Sequence, residues 1–400
     1  MAKFRLYPTP QQQVLLREQC AHARFVWNLA LEQRLMWRRG RGPTPGYNAQ
    51  SAQLTEARAE NAWLAAGSQT VQQQALRDLN QAWTLFFAGT HGRPTWRKQG
   101  VHEGFRIVGS QALRVRQDNR RWSRVWVPKV GWVRFKRSRD LPEWKSYRIT
   151  RDKAGRWHIA FAAIPDPVPG PGTGVVVGVD RGVRVAAALS TGEMTSPAGL
   201  RPKESERLVR LQRRLTRAQP GSNRRAQLKT QLARLHARTA DRRKDWVEKT
   251  STDLARRFDT IHVEDLKVAS MTRSAKGTLE CPGRQVAQKA GLNRGILKAG
   301  WSLLTARLDQ KAPGRVVKVD PAFTSQTCHA CKHIAAESRE SQARFCCVAC
   351  GHQDNADVNA ARNIASRTTA AGLVVAARRD MVDVDRSVKR EPQLATSFGT

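Results

Sequence analysis

The sequence predicts a multidomain α+β protein: a β-barrel carrying a helical insert, followed by a second strand-and-helix unit interrupted by a cysteine-rich segment. Three observations carry this. The hydrophobic period changes from helical to alternating near residue 100. The Pro/Gly cluster "IPDPVPGPGTG", residues 164–174, is the clearest linker in the chain. Two Cys-x-x-Cys pairs stand close together in the last third. At 400 residues the chain has room for two to four structural units.

The elements follow in order. "KFRLY" reads as a short strand stopped by "PTP". In "QQQVLLREQCAHARFVWNLALEQRLMWRR" apolar residues recur three and four apart (Val14, Leu15, Ala23, Phe25, Val26, Leu29, Leu31, Leu35), as on a helix. After the break "GRGPTPGYN" come two further helical stretches, so residues 11–95 form a helical domain. "QALRVRQ", "RVWVPKVGWVRFKR" and "GRWHIAFAAI" alternate apolar with basic or polar residues, as half-buried strands do. Residues 96–170, joined by 1–10, therefore form the barrel. The tryptophans there (Trp122, Trp126, Trp132, Trp144, Trp157) read as barrel core or as stacking platforms for bases.

Past the linker, "VVVGVDRGVRVAAALSTGE" is a buried strand, an Asp, and a second strand. A basic region, about 203–257, keeps leucines at helical spacing on both sides of "AQPGSN", which predicts an antiparallel helical hairpin. The strand "TIHVEDL", a helix containing "GWSLLTARLDQKA", and the strand "GRVVKVDPAF" lead into the cysteine segment. Residues 379–400 read as a disordered tail.

Charge narrows the function classes. Against 33 Asp+Glu stand 70 Lys+Arg, a formal net charge of +37. The excess is spread over the whole chain, so its self-repulsion is best relieved by a polyanion whose counterions are released on binding. The partner is nucleic acid. No secretory h-region opens the chain and no 18-residue apolar run crosses a membrane, so the expected location is the cytoplasm, with the nucleoid.

Cys328-x2-Cys331 and Cys347-x2-Cys350 have the spacing of a four-cysteine zinc ribbon, leaving Cys20, Cys281 and Cys346 over. Cys346 could stand in for Cys347, but the second pair would then be Cys-x3-Cys. A closed four-thiolate site has no open coordination position, so this zinc is structural.

Three carboxylates stand out by context. Asp180 follows the apolar run "VVVGV", Glu264 ends the run in "FDTIHVEDL", and Asp357 opens the Ala/Asn helix "DVNAARNIA". Taken singly, each also reads as a solvated strand end or a helix cap, and Asp265 and Asp354 read as turn or helix-start residues. Strand-Asp, strand-Glu, helix-Asp in one basic chain is what an RNase H-like nuclease core requires. Its two Mg²⁺ ions, about 3.5–4 Å apart, need such converging carboxylates to clamp the attacking and leaving oxygens of a phosphodiester.

The chain resembles TnpB, the transposon-encoded RNA-guided DNA endonuclease related to compact type V CRISPR effectors. The matching blocks are "RLYPTPQQQ…ARFVWNLAL", "PKVGWVRF", "VGVDRGV", "IHVEDLKV" and "DPAFTSQTCHAC…FCCVACG…DVNAARNI". The resemblance implies that Asp180, Glu264 and Asp357 form a RuvC-type Mg²⁺-binding catalytic triad, and that Cys328, Cys331, Cys347 and Cys350 hold the zinc of a ribbon inserted before its last member. It implies a wedge domain at 1–10 and 96–170 and a recognition domain at 11–95. The RuvC-like nuclease would span 171–325 and 358–378, and the ribbon 326–357. A guide RNA and a double-stranded DNA target are the implied partners. Tyr47, Gln69 and Gln73 fall where such proteins contact the short motif flanking the target, and Gln suits adenine edges, while each also reads as a polar surface residue of a helix.

The implied reaction is RNA-guided, Mg²⁺-dependent DNA cleavage at a single RuvC-like site. A catalytically silent RNA-guided repressor would be marked by a lost triad member, and none is lost. A tyrosine transposase needs a Tyr beside a His pair; Tyr7, Tyr47 and Tyr147 are the tyrosines, and none is so placed. A DDE-type transposase shares the metal chemistry, and co-purifying RNA would distinguish it.

Overall fold

The computed structural model describes residues 2–38, 40 and 42–367. The expected tail at 379–400, and residues 368–378 assigned to the nuclease core, lie outside the described residues. The chain forms two compact units: Met1–Asp166 with Leu200–Ala240, and Pro167–Gly199 with the described residues from Asp241 onward.

The first unit opens with β1 (Ala2–Tyr7) and α1 (Pro10–Met36). A capping box starts α1: Thr9 Oγ1 accepts the Gln12 N–H at 3.2 Å, and Gln12 Oε1 accepts the Thr9 N–H at 3.1 Å. Then come α2 (Tyr47–Glu60), α3 (Ala62–Ala66) and α4 (Gln69–Phe87). The strands are β2 (Gly104–Val108), β3 (Val115–Gln117), β4 (Trp122–Val127), β5 (Gly131–Lys136), β6 (Ser146–Arg151) and β7 (Trp157–Phe161).

They form one seven-stranded sheet in the order β2-β6-β7-β1-β5-β4-β3. The N-terminal strand lies at its centre, with Phe4 opposite Ile159 of β7 and Leu6 opposite Phe135 of β5. No β2–β3 ladder closes the sheet among the described residues. A 3-10 turn, Gly109–Leu113, joins these edge strands and touches both β4 and β6. The Tyr147 hydroxyl of β6 donates to the Trp126 carbonyl of β4 at 2.6 Å. The expected barrel is thus a curled sheet closed by a turn and a side chain.

Phe161 sits at the hub of the core, its ring centroid 5.8 Å from Phe135, 5.9 Å from Phe4 and 4.8 Å from Trp144. Trp157 is buried there too. Trp122, Trp126 and Trp132 instead occupy the other face of β4 and β5, half-buried under arginines: Arg134 lies 4.2 Å from the Trp122 ring and Arg114 4.2 Å from Trp126.

Helices and sheet share one core, and Asp78 of α4 pins them together. Arg148 of β6 approaches its carboxylate at 2.6 Å, Arg106 at 3.7 Å and Arg97 at 3.8 Å. The expected hairpin is α5 (Pro202–Arg217) with α6 (Asn223–Arg257), zipped by Leu211, Leu228, Leu232 and Leu235.

In the second unit, β8 (Val176–Asp180), β9 (Ala187–Leu189), β10 (Met194–Thr195), β11 (Thr260–Glu264) and β12 (Val316–Val319) make a five-stranded sheet, order β10-β9-β8-β11-β12. Strands β8, β11 and the edge strand β12 run parallel, and β9 is antiparallel to β8. Continuous apolar runs suit strands covered on both faces. Val177, Val179, Ile261 and Val263 are fully buried among Leu254, Leu304 and Leu308.

Helices α7 (Val268–Met271), α8 (Val286–Ala299) and α9 (Trp301–Lys311) lie between β11 and β12 in sequence. The hairpin β13 (Arg344–Cys346) and β14 (Gln353–Asn355) precedes α10 (Ala356–Ser366). That last helix lies against β8. A Cβ at Gly178 would sit 2.0 Å from the Ala361 carbonyl oxygen and 2.5 Å from the Ala365 nitrogen, so only glycine admits the helix at this depth. Small residues on both sides set the closeness.

Candidate active site

Asp180 is the last residue of β8 and Glu264 the last of β11. The β8–β11 ladder ends at Val179 opposite Val263, so the two acids emerge side by side from adjacent parallel strands. Asp357 is the second residue of α10. It does not cap the helix. Asn355 does, its Oδ1 accepting the N–H of Asp357 at 3.0 Å and of Val358 at 3.3 Å. The Asp357 carboxylate is thereby left for the site, at the positive end of the helix.

The three acids feel one another. Burial, then the charges of Glu264 and Asp357, push the Asp180 carboxyl up to about 7, against relief from Arg339 and from its bond with the Arg181 N–H. Burial also raises Glu264 and Asp357 above the usual carboxylate range. The Thr324 hydroxyl donates to Glu264 Oε1 at 2.8 Å and orients it. Arg339 Nη2 lies 3.4 Å from Asp357 Oδ1, and Arg184 adds a positive charge to the same carboxylate. Behind the strand ends, buried Arg181 donates through Nη1 to Thr305 Oγ1 at 2.7 Å and through Nη2 to the Glu264 carbonyl.

Three partly desolvated carboxylates, two of which hold the proton of the third, are a donor set suited to a hard divalent cation, which would relieve the repulsion. They are not drawn into a single tight cage. Among the described residues, only the four cysteines gather their ligand atoms within 4.8 Å of one another.

In that cysteine cluster Sγ of Cys328 and Cys350 are 3.8 Å apart, and those of Cys331 and Cys347 3.6 Å. Tetrahedral zinc with bonds of about 2.3 Å requires nearly this separation. The two halves are built alike. The N–H of Cys328 donates to the His333 carbonyl and that of Cys347 to His352, while the carbonyl of each cysteine accepts the N–H four residues on. Those two positions, Lys332 and Gly351, both take positive φ, 63° and 69°. The backbone N–H of Cys350 helps bring the Cys347 thiol down to about 6, readying it as a thiolate ligand. Cys346 lies outside the cluster, on β13.

The remaining candidates belong to the first unit. Tyr47 is half-buried at the start of α2, its hydroxyl accepting from Arg77 Nε at 3.0 Å. Gln69 and Gln73 stand four apart on α4, in line with Arg77. Asp354 pairs with Arg362 at 2.6 Å and Asp265 with Lys267 at 2.5 Å, as turn and helix-start acids do. Arg339, Arg181 and Thr324 escape sequence reasoning: each reaches the acids through the fold. Only Arg181, adjacent to Asp180, carries even a positional hint.

Comparison with known proteins places the chain. A family model described as a probable transposase matches residues 158–275, a Cas12f1-like TNB domain matches 301–364, and a helix-turn-helix domain matches 1–42. A protein of Escherichia coli (strain K12), provisionally named RNA-guided DNA endonuclease InsQ, is 36% identical over 98% of this chain and 96% of its own length. This chain belongs to the TnpB family.

A second TnpB relative, from Streptomyces pristinaespiralis and also provisionally named an RNA-guided DNA endonuclease, is 33% identical over 99% of this chain and 96% of its own. The CRISPR-associated endodeoxyribonuclease Cas12f1 of Sulfoacidibacillus thermotolerans is 52% identical over a short stretch, 14% of this chain and 13% of that protein. Among solved structures, the cryo-EM structure of a Cas12f1–sgRNA–target DNA complex superposes with a TM-score of 0.52 at 14% identity, over 89% of this chain and 82% of that one. This TnpB-family chain therefore shares the fold of that effector. No helix among the described residues is long and apolar enough to cross a membrane.

Proposed function

We propose that this TnpB-family chain is an RNA-guided endonuclease that cuts double-stranded DNA through the Asp180–Glu264–Asp357 cluster. The observation that carries it is the convergence of two strand-end acids and one helix-start acid, all held above the ordinary carboxylate range. Near-full-length relatives named as RNA-guided DNA endonucleases support the reaction class. The formal net charge of +37 supports a guide RNA and a DNA target as partners.

In this reading the three carboxylates hold Mg²⁺. Bound there, the ion would supply activation of water and stabilisation of the leaving 3′ oxygen. Thr324 fixes the rotamer of Glu264, Arg339 balances charge at Asp357, and the zinc ribbon (326–357) presents Arg339 without chemistry of its own. Residues 1–10 with 96–170 serve as the wedge and 11–95 as the recognition domain. Residues 171–325 with 358–378 are the RuvC-like nuclease. Tyr47, Gln69 and Gln73 read the flanking motif, while base pairing with the guide reads the target.

The test is direct. The protein is purified with RNA transcribed from beside its gene and given Mg²⁺ and a plasmid library with randomised flanks. Motif-dependent cutting that needs the RNA and vanishes in Asp180→Ala is expected. RNA-independent cutting, or full cutting by that variant, would overturn the reading; binding without cutting would favour a silent repressor.

A further inference from the structure

We propose that Arg181 is a positioning residue that sets the relative placement of Asp180 and Glu264. The proposal rests on the nuclease reading of that acidic cluster. The β8–β11 ladder does not reach the two acids: its last registered pair is Val179 with Val263, one residue short of both, and Asp180 is registered only with Ala188 of β9. Glu264 is registered only on its other side, opposite Val319 of β12.

Arg181 spans the gap. It follows Asp180 directly in the chain, and its guanidinium donates to the Glu264 carbonyl, which also accepts the Leu266 N–H. The second arm of the fork reaches Thr305 Oγ1 of α9 at 2.7 Å. One residue thus ties the ends of β8 and β11 to the middle of α9. Asp180 looks towards Asp357 of α10 while Arg181 reaches α9, consistent with the alternation of side chains at a strand end.

Stability alone gives a poor reason for an arginine here. Arg181 is only 6% exposed, and among the described residues its Nε has no hydrogen-bond partner. A buried cation with an unsatisfied donor is a costly way to join elements that apolar packing already holds. A planar fork with fixed N–H directions, by contrast, suits holding two acceptors at a set separation, and lysine cannot reproduce it.

The test uses the guide-RNA-loaded full chain with Arg181→Met, Arg181→Lys and Asp180→Ala. Three quantities are read: target-DNA affinity, single-turnover cutting rate, and Mn²⁺ binding followed by water-proton relaxation. For R181M, target affinity is expected to stay within about twofold of the parent while cutting slows about 100-fold, the scale of a misplaced reacting group. Mn²⁺ binding should weaken in parallel, and R181K should recover part of the rate. Parent-like cutting and Mn²⁺ binding in R181M, with D180A inactive, overturn the proposal and leave the nuclease reading intact. Full cutting by D180A overturns both. If R181M does not fold, R181K decides: slowed cutting at unchanged target affinity supports the proposal, and the parent rate overturns it.

Discussion

Arg339 Nη2 stands 3.4 Å from Asp357 Oδ1, so a guanidinium from the segment between the two cysteine pairs faces the helix-start acid. The same charge lowers Asp180. Arg339→Ala is expected to slow single-turnover cutting about 10- to 100-fold with target affinity nearly unchanged, the scale for losing one well-placed charge beside the acids. Cutting at the parent rate would separate the ribbon from the chemistry.

The zinc prediction follows. Cys331→Ser breaks the four-thiolate cluster, leaving Arg339 on a segment that no longer folds back through matched turns. Metal content measured by mass spectrometry should fall from one zinc per chain towards none. Cutting should fall further than in Arg339→Ala, because the whole approach to Asp357 is loosened. Cys346→Ser should leave the zinc content unchanged.

Gly178→Ala tests the helix–strand contact. The added methyl would meet the Ala361 carbonyl at 2.0 Å, so α10 must retreat from β8 and carry Asp357 with it. About 3 kcal/mol of destabilisation is expected by denaturant titration, the upper range for overpacking a tight core, together with weaker divalent-ion binding. An unchanged midpoint would mean that the helix is not seated as described.

Divalent-ion affinity should depend on pH. Asp180 is held up to about 7, and Glu264 and Asp357 are raised. Below about pH 7 the ion-free cluster retains protons that a cation must displace, so affinity is low at pH 6 and rises through 7 towards 8. The same raised values mean that the ion-free protein loses stability as pH climbs from the ordinary carboxylate range to about 7. Mn²⁺ titrations should show at least about a tenfold gain in affinity from pH 6 to pH 8. A flat profile would contradict the cluster's electrostatics.

Much of the frame is legible along the chain, because its signals are local. The runs ending in Asp180 and Glu264 are apolar without alternation, the mark of strands buried on both faces, and they form the parallel pair β8 and β11. The alanines of "DVNAARNIA" foretell a helix lying close to a sheet, and cysteine spacing foretells the cluster. What spacing cannot carry is a contact made only after folding. The charge of Arg339 acts on Asp180 from far along the chain, Thr324 finds Glu264 across 60 positions, and Asp78 gathers Arg97, Arg106 and Arg148 from separate elements. Nor does alternation say how a sheet closes: the barrel's ends meet through the 3-10 turn and Tyr147, which no periodicity encodes.

The most direct test of the central claim is the single-turnover cutting rate of Asp357→Asn in the guide-loaded protein. The amide keeps the side chain's size and leaves the Asn355 cap in place, removing only the charge and one hard oxygen ligand. Cutting is predicted to fall at least about a thousandfold while target binding persists. An Asp357→Asn protein that cuts at the parent rate would contradict the account.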